Sequence, residues 1–184
     1  MPKLLAAVLL TLAATAPVRV VDLENRAVDP FQITAGAKAA VFLFTATDCP
    51  ISNRYAPEIQ RLHQAYGNQG VRFFLVYPNP ADTPELIREH AKAFGYPADA
   101  LLRDPKQALA KAAKVTIAPE AAVFVQGRLV YHGRIDDRFV DFGLDRPEPT
   151  VRDLDEAIAA VVAGKPVPHP VTQAVGCYIA DYAR

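Results

Sequence analysis

The stretch AAVFLFTATDCPISNRY, residues 39–55, joins a strongly apolar run to a cysteine and then to a more polar segment. Its first part, residues 39–45, is short and rich in Val and Phe, as is the later run VRFFLVY at residues 71–77, and such runs are typical of strands that are buried on both faces. Between the two runs, apolar side chains recur at helical spacing, at Tyr55, Ile59, Leu62 and Tyr66. The pattern predicts a strand–helix–strand unit with parallel strands, and it puts Cys49 where the first strand gives way to the helix.

Three capping patterns predict further helices after this unit. Each begins with a capping residue, Thr or Asp. In the first two, proline follows at the first helical position, and in the last two a polar residue stands three positions after the cap. The predicted helices run from Thr83 to Gly95, from Asp104 to about Ala113, and from Thr150 to Gly164.

Two hairpins complete the predicted elements. Residues 120–133 alternate a buried run, a turn near Gly127 and a second run, and residues 18–23 and 28–33 are expected to form a small hairpin at the front. Parallel strands followed by an antiparallel hairpin predict an α/β fold with a central mixed β-sheet flanked by helices. A chain of 184 residues that is 51% hydrophobic is expected to form one domain.

The two ends of the chain differ from this domain. Residues 1–16 have one Lys, an apolar run and a small-residue ending, the layout of a signal peptide, and the run is shorter than the roughly 20 residues that a membrane span needs. We therefore expect export to the periplasm or the exterior, a domain over residues 17–164, and no membrane span after cleavage. Residues 165–184 form a proline-rich tail, predicted to be extended, that carries Cys177.

Charge and motifs exclude several classes of function. The 20 basic residues balance the 20 acidic ones without a basic cluster, which argues against nucleic acid as a partner. The four histidines show no metal-ligand spacing, although a site built from both cysteines and a histidine is a less favoured alternative. No cofactor is expected, since no phosphate-binding glycine loop is present.

Cys49 is the main candidate for chemistry. A sulfur at the first turn of a helix lies near unpaired N–H groups and the positive end of the helix dipole, which stabilise a thiolate. Pro50 suits that first turn because its missing N–H would have had no partner. The alternative, that Cys49 is only a small buried hydrophobe, is about as well supported by the spacing alone.

The segments FLFTATDCPIS and VTIAPEAAVFVQGRLVYHG resemble the thioredoxin-like superfamily, nearest to its exported redoxin branch with a Cys-Pro-x-Ser motif, of the AhpC/TSA or thiol-disulfide oxidoreductase type. The resemblance implies a thioredoxin-like fold, a helix kinked at Pro57, and a cis-proline at Pro119 that packs against the cysteine and orients substrate. It also implies a thiol or disulfide protein as the partner that supplies electrons or serves as substrate.

Two departures from this pattern bear on activity. Ser52 stands where a dithiol motif has its resolving cysteine, so the usual internal disulfide is excluded. Ala46 stands where the peroxiredoxin pattern has Thr or Ser, and Thr45 or Thr47 would have to supply the hydroxyl instead. Asp48 would raise the pKa of the neighbouring thiol if its charge pointed inward.

Cys177 is predicted to be the partner of Cys49. The tail is long enough to fold back over the domain, and an even number of cysteines in an exported chain favours pairing. Cys177 is interpreted first as a resolving cysteine and second as half of a permanent disulfide, worth roughly 4 to 5 kcal/mol in the chain-entropy model. A third interpretation leaves the two thiols free and unrelated.

These observations predict an exported thiol-disulfide oxidoreductase with Cys49 as nucleophile and Cys177 as resolving cysteine. Thr47 is a supporting candidate, as is Arg134, which would stabilise a thiolate or orient a peroxide unless it belongs to an ordinary charged loop. The alternatives are a peroxiredoxin-like thiol peroxidase and a non-catalytic binding or metal-carrier module with a structural Cys49–Cys177 disulfide. The sequence does not distinguish oligomeric states.

Overall fold

The computed structural model describes residues 17–180, so the predicted signal peptide lies outside the described residues. Eleven strands are present in this part of the chain: β1 Val20–Val21, β2 Ala27–Val28, β3 Ala39–Phe44, β4 Val71–Tyr77, β5 Leu101–Arg103, β6 Ile117–Ala118, β7 Glu120–Val125, β8 Arg128–Gly133, β9 Phe139–Asp141, β10 Leu144–Asp145 and β11 Cys177–Tyr178. The α-helices of the same range are α1 Pro30–Ile33, α2 Pro50–Arg54, α3 Ala56–Tyr66, α4 Pro84–Phe94, α5 Ala108–Ala113 and α6 Asp153–Val162.

Seven strands form the central sheet, in the order β2-β1-β5-β4-β3-β7-β8. The β3, β4 and β5 strands are parallel, whereas β7 is antiparallel to β3 and to β8. The predicted α/β fold with a mixed sheet and flanking helices is therefore confirmed, as is the parallel strand–helix–strand unit.

The β3 strand lies at the middle of the sheet, and all six of its residues are buried. Alternate side chains point to opposite faces, so Val41 and Leu43 join a core that contains α3, α4 and α6, while Phe42 and Phe44 join a second core that contains α5. Burial on both faces explains why the run is apolar without alternation.

The predicted α4 is confirmed at both ends. The Thr83 hydroxyl accepts a hydrogen bond from the Leu86 amide at 3.3 Å, and Pro84 is the first helical residue. Gly95 ends the helix with φ at +68°, a backbone conformation that favours glycine.

Two predicted helix starts were wrong. The α5 helix begins at Ala108, because the Asp104 carboxylate accepts hydrogen bonds from the Ala108 and Ala110 amides at 2.8 Å and the chain between makes a turn through Gln107, with φ at +55°. The α6 helix begins at Asp153, because the amide and hydroxyl of Thr150 bind the Asp137 carboxylate instead of capping the helix.

The front hairpin is shorter than predicted. Its strands are β1 and β2, and the second strand ends at Val28. The Asp29 carboxylate then accepts hydrogen bonds from the Phe31 and Gln32 amides, and Pro30 occupies the first position of α1. An N-cap followed by proline therefore makes residues 30–33 helical rather than extended.

The tail after α6 is extended, as predicted, and returns along the edge of the sheet. The His132 amide of β8 donates to the Pro170 carbonyl at 3.0 Å, and the Thr172 amide donates to the His132 carbonyl at 3.2 Å. The tail then crosses to β6, with which β11 pairs in antiparallel fashion. Across residues 17–180, no helix has the length and apolar character that crossing a membrane requires.

Candidate active site at Cys49

Cys49 lies at the N-cap of α2, a short loop after the end of β3. Its backbone is extended, with φ −90° and ψ 109°, and its carbonyl accepts the first helical hydrogen bond from the Asn53 amide at 3.1 Å. Its side chain is only 1% exposed. The sequence-based placement of Cys49 at a helix N-terminus is confirmed.

The helix that follows Cys49 is interrupted at Tyr55. The α2 helix ends at Arg54, and α3 begins at Ala56 with Pro57 in its first turn. Proline interrupts the amide ladder of a helix, as the resemblance implied for Pro57. The Tyr55 hydroxyl donates to the buried Asp136 carboxylate at 2.8 Å, which anchors the interruption to the loop after β8.

Pro119 follows a cis peptide bond, as the resemblance implied, and the residue before it, Ala118, contacts the Cys49 sulfur. In the β3–β7 ladder Phe44 pairs with Glu120, so the end of one strand lies next to the start of the other. This register brings Ala118 to Cys49, whose thiol donates to the Ala118 carbonyl at 3.4 Å.

The tail brings Cys177 to the same point. Cys177 pairs with Ala118 in the β6–β11 ladder, and the Sγ atoms of Cys49 and Cys177 lie 2.6 Å apart. The predicted return of the tail to Cys49 is thereby confirmed. Resolution of an intermediate by Cys177 and a permanent Cys49–Cys177 link both stay predictions.

The environment of Cys49 favours its thiolate. Burial raises the pKa of the thiol, but hydrogen bonding from Cys177 and the nearby hydroxyl and amide of Ser52 outweigh burial and hold that pKa below its ordinary value. The Ser52 hydroxyl is buried and makes no hydrogen bond of normal geometry in the described part of the chain, so it acts on the sulfur as a nearby dipole.

The pKa of the Cys177 thiol is shifted in the opposite direction. Burial, the hydrogen bond with Cys49, and the charges of Cys49 and Asp48 together raise the pKa of its thiol to about 12. Asp48 is exposed, and its effect falls on the tail cysteine. At neutral pH the pair therefore consists of a more acidic sulfur on the helix and a protonated sulfur on the tail.

Thr47 and Arg134, the two supporting candidates, hydrogen-bond to carboxylates away from Cys49. The Thr47 hydroxyl donates to the Asp82 carboxylate at 2.5 Å. The Arg134 guanidinium donates to Asp153 at 2.7 Å and links the end of β8 to the start of α6. Among the hydrogen bonds of residues 17–180, none joins either side chain to Cys49, so the expectation that Arg134 stabilises the thiolate has no contact to support it.

Sequence reasoning missed a buried polar network behind the Cys49 loop. The Asn53 amide group donates to the Thr47 carbonyl at 3.5 Å, and its oxygen lies 2.7 Å from Nε2 of His90, whose Nδ1 lies 3.0 Å from the Tyr77 hydroxyl. Burial lowers the pKa of His90 and therefore favours its neutral form. Local sequence pattern carries no signal for these contacts, since they join three separate elements.

A small cavity of about 230 Å³ opens beside Cys177. Its lining residues are Ala46, Asp48, Pro78, Asn79, Ala118, Cys177, Tyr178, Ile179 and Ala180. Within residues 17–180, no group of three or more His, Cys, Asp or Glu side chains is arranged to hold a metal ion.

A cysteine at a helix N-terminus beside a cis-proline, on a thioredoxin-like sheet, defines a protein of the thiol redox class. The chain belongs to the AhpC/TSA family, which matches residues 13–132. Family membership indicates redox activity in general and leaves the specific reaction open. A search of curated proteins found no match.

Solved structures with similar folds come from several bacteria. An uncharacterized conserved protein from Geobacillus kaustophilus is 27% identical, with a TM-score of 0.72 over 89% of this chain and 88% of that chain. A hypothetical protein from Sinorhizobium meliloti 1021 is 27% identical, with a TM-score of 0.71 over 89% and 90%. A secreted disulfide oxidoreductase of Mycobacterium tuberculosis is 14% identical, with a TM-score of 0.50 over 80% and 96%, and it shares the fold.

Proposed function

We propose that the protein is an exported thiol-disulfide oxidoreductase in which Cys49 is the nucleophile and Cys177 is the resolving cysteine. The observation that carries this proposal is the 2.6 Å separation of the two sulfurs. The position of Cys49 at a helix N-terminus and the lowered pKa of its thiol support its role as nucleophile, because the thiolate is the attacking species in disulfide exchange.

The proposed reaction proceeds in two exchanges. The Cys49 thiolate attacks one sulfur of a partner disulfide, which forms a mixed disulfide and releases the partner's other sulfur as a thiolate. Cys177 then loses its proton and attacks the Cys49 sulfur, which forms the Cys49–Cys177 disulfide and releases the second partner thiolate. The chain loses two electrons and the partner gains them; the proton released by Cys177 and one proton from the solvent convert the two partner thiolates to thiols.

The partner in this proposal is another thiol or disulfide protein. It regenerates the dithiol or, in the reverse direction, receives the disulfide. Export is part of the proposal: the leader pattern of residues 1–16 supports it, and a stable or cycling disulfide suits the periplasm or the exterior.

A peroxidase is less well supported by the site. Ala46 has no hydroxyl to direct a peroxide oxygen, Thr47 donates to Asp82, and Arg134 is paired with Asp153. A peroxidase would use a hydroxyl or a guanidinium in contact with the bound peroxide to stabilise the departing oxygen, and the one hydroxyl described near Cys49, that of Ser52, is buried. The observed contacts therefore favour disulfide exchange.

The proposal is tested with purified chain, insulin as a disulfide substrate and dithiothreitol as reductant. We expect Cys49→Ser to lower the rate of insulin reduction to that of the reductant alone. With dithiothreitol removed after reduction of the chain, we expect Cys177→Ser to perform the first exchange only and to accumulate a mixed disulfide at Cys49, detected by intact mass.

Two results would overturn the proposal. One is insulin reduction by Cys49→Ser at the rate of the unmodified chain. The other is consumption of hydrogen peroxide by the unmodified chain, with a sulfenic acid trapped at Cys49, at a rate well above that of insulin reduction.

A further inference from the structure

Asn53 joins the two ends of the Cys49 loop. Its backbone amide donates to the Cys49 carbonyl at 3.1 Å, and its side-chain amide group donates to the Thr47 carbonyl at 3.5 Å. The amide and hydroxyl of Ser52, in the same helical turn, help to stabilise the Cys49 thiolate. The alignment of this turn with the loop therefore bears directly on the reactivity of Cys49.

The α2 helix cannot hold this alignment alone. It has only five residues, Pro50–Arg54, and its first residue is a proline, which has no N–H. A helix this short is unstable by itself, and the interruption at Tyr55 separates it from the longer α3. The position of its first turn therefore depends on contacts with other elements.

His90 of α4 supplies such a contact. Its Nε2 lies 2.7 Å from the Asn53 side-chain oxygen, whereas the contact from Asn53 to Thr47 is at the long limit for a hydrogen bond. The His90 side chain is buried, and its ring centroid lies 4.8 Å from that of Phe94 and 5.7 Å from that of Tyr77. The imidazole is thus fixed in place and can orient the Asn53 amide group.

The partners determine the direction of each hydrogen bond in this network. The Thr47 carbonyl can only accept, so Asn53 turns its NH₂ group toward it and its oxygen toward His90. Nε2 of His90 must then carry the proton, and Nδ1 accepts from the Tyr77 hydroxyl at 3.0 Å. Burial lowers the pKa of His90 and favours the neutral ring, so His90 acts by donating a hydrogen bond and not by its charge.

We propose that His90 is a positioning residue for Cys49: by donating to Asn53, it holds the first turn of α2 against the Thr47 carbonyl and keeps the amides of that turn at the sulfur. Among the hydrogen bonds of the described residues, none joins His90 to either cysteine, so its effect passes through Asn53. The inference rests on the proposed function in taking Cys49 as the reactive group, and it adds a residue of α4 that the reaction itself does not touch.

The test uses the Cys177→Ser chain, whose one thiol is Cys49, and measures the pH midpoint of alkylation by iodoacetamide. Two polar substitutions separate the two ring nitrogens, because glutamine places its NH₂ group near the position of Nε2 and asparagine places it near that of Nδ1. We expect His90→Asn to raise the midpoint by about 0.5 or more, since the helix amides then stabilise the thiolate less well. His90→Gln keeps the donor to Asn53 and should leave the midpoint unchanged.

A double substitution tests whether the effect passes through Asn53. Asn53→Ala alone should raise the midpoint as His90→Asn does, and the two substitutions together should raise it no further than either one. His63→Asn is the matched control, because His63 is an exposed histidine of α3, and it should leave the midpoint unchanged. The inference is overturned if His90→Asn and His90→Gln give the same midpoint, or if the effects of His90→Asn and Asn53→Ala add.

None of these readouts involves disulfide exchange. The expected shifts together with failed insulin reduction by the unmodified chain would refute the proposed function and leave the positioning role in place. Insulin reduction by the unmodified chain with no shift in the variants would refute only the positioning role.

A second measurement covers the case in which the His90 variants do not fold. Nitrogen NMR of the isotope-labelled Cys177→Ser chain should show that the proton of the neutral His90 ring is on Nε2. A proton on Nδ1 would make Nε2 an acceptor, so the Asn53 NH₂ group would face His90 and the Asn53 oxygen would face the Thr47 carbonyl. Two acceptors would then oppose each other, and that result would overturn the inference.

Discussion

Cys49 follows β3, whose six residues are all buried at the middle of the sheet, whereas Cys177 lies in β11, a strand of two residues next to a side chain that is 80% exposed. The first sulfur is held by two cores and a helix. The second is held by main-chain pairing and by the close contact of Gly176 with Ala118. The site thus combines one sulfur whose position is set by the fold with one that can be removed from it.

The chemical contrast follows the structural one. The sulfur fixed at the helix has the lowered pKa, and the sulfur on the detachable tail has a pKa raised to about 12. A thiolate that stays at the helix N-terminus keeps its stabilising amides throughout a reaction, while the protonated thiol can leave without stranding a charge. In the proposed reaction, one cysteine on the core and one on the tail would take the roles that a dithiol motif gives to two nearby cysteines.

The strongest test of this division moves the second thiol from the tail to the helix. Ser52 is buried one turn after Cys49, and its hydroxyl has no hydrogen-bond partner in the described part of the chain. We expect Ser52→Cys, added to the Cys177→Ser chain, to restore insulin reduction by about 100-fold or more, because the new thiol is close enough to attack a mixed disulfide at Cys49 within the molecule. The rate of insulin reduction is the measurement.

Ser52→Ala in the Cys177→Ser chain is the control, and it should remain as slow as its parent. If Ser52→Cys also remained at the parent rate, resolution would depend on some property of the tail beyond the supply of a thiol, and the comparison between core and tail would fail.

The sequence predicted those parts of the fold that depend on neighbouring residues. The unbroken apolar run from Ala39 made β3 recognisable, since a short run rich in Val and Phe is typical of a strand buried on both faces. Thr83 followed by Pro84 marked the start of α4 because the capping hydrogen bond and the proline lie within one turn. Cys49 was placed at a helix N-terminus by the same local reasoning.

Patterns among neighbouring residues could not predict contacts between segments that are distant in the sequence. Arg134 was considered for the active site, but its partner Asp153 is known only once β8 and α6 lie together. Thr150 had the pattern of a helix cap and instead binds Asp137. The prolines predicted an extended tail, yet nothing in them specified that Cys177 would pair with Ala118, because main-chain pairing leaves little trace in side-chain sequence.

A smaller effect is expected in the energetics of core and tail. Phe42 is fully buried, with its ring centroid 5.8 Å from that of Phe74, so Phe42→Ala should lower the free energy of unfolding by about 3–5 kcal/mol. Ile179 is only partly buried against the same core, and Ile179→Ala should cost about 1 kcal/mol. Urea denaturation of the reduced chain measures both values.

Ile179→Ala should nevertheless increase hydrogen exchange at the amide of residue 179, which donates to the Thr116 carbonyl, and leave the amides of β7 unchanged, because its effect is local. Equal losses of unfolding free energy from the two substitutions would contradict the division into a firm core and a detachable tail.

The smallest expected effect concerns the pKa of Cys49. Hydrogen bonding from Cys177 is among the influences that lower it, so Cys177→Ala removes a donor while keeping an apolar group at that position, and the pKa of Cys49 should rise. Cys177→Ser retains a hydroxyl donor, so the pKa should stay lower than in the alanine variant. The pH dependence of iodoacetamide alkylation, fitted for the one remaining thiol, gives both values.

The sign of this difference distinguishes two sources of thiolate stabilisation. The helix terminus and Ser52 are present in both variants, so any difference between them comes from the tail. If the alanine variant titrated at the same pH as the serine variant or at a lower pH, the tail would add nothing to the acidity of Cys49, and the helix N-terminus with Ser52 would account for all of it. If the alanine variant titrated at a higher pH, the Cys177 thiol would also help to activate Cys49. Displacement of the tail by a partner would then make Cys49 less acidic until the partner's own cysteine took the place of Cys177.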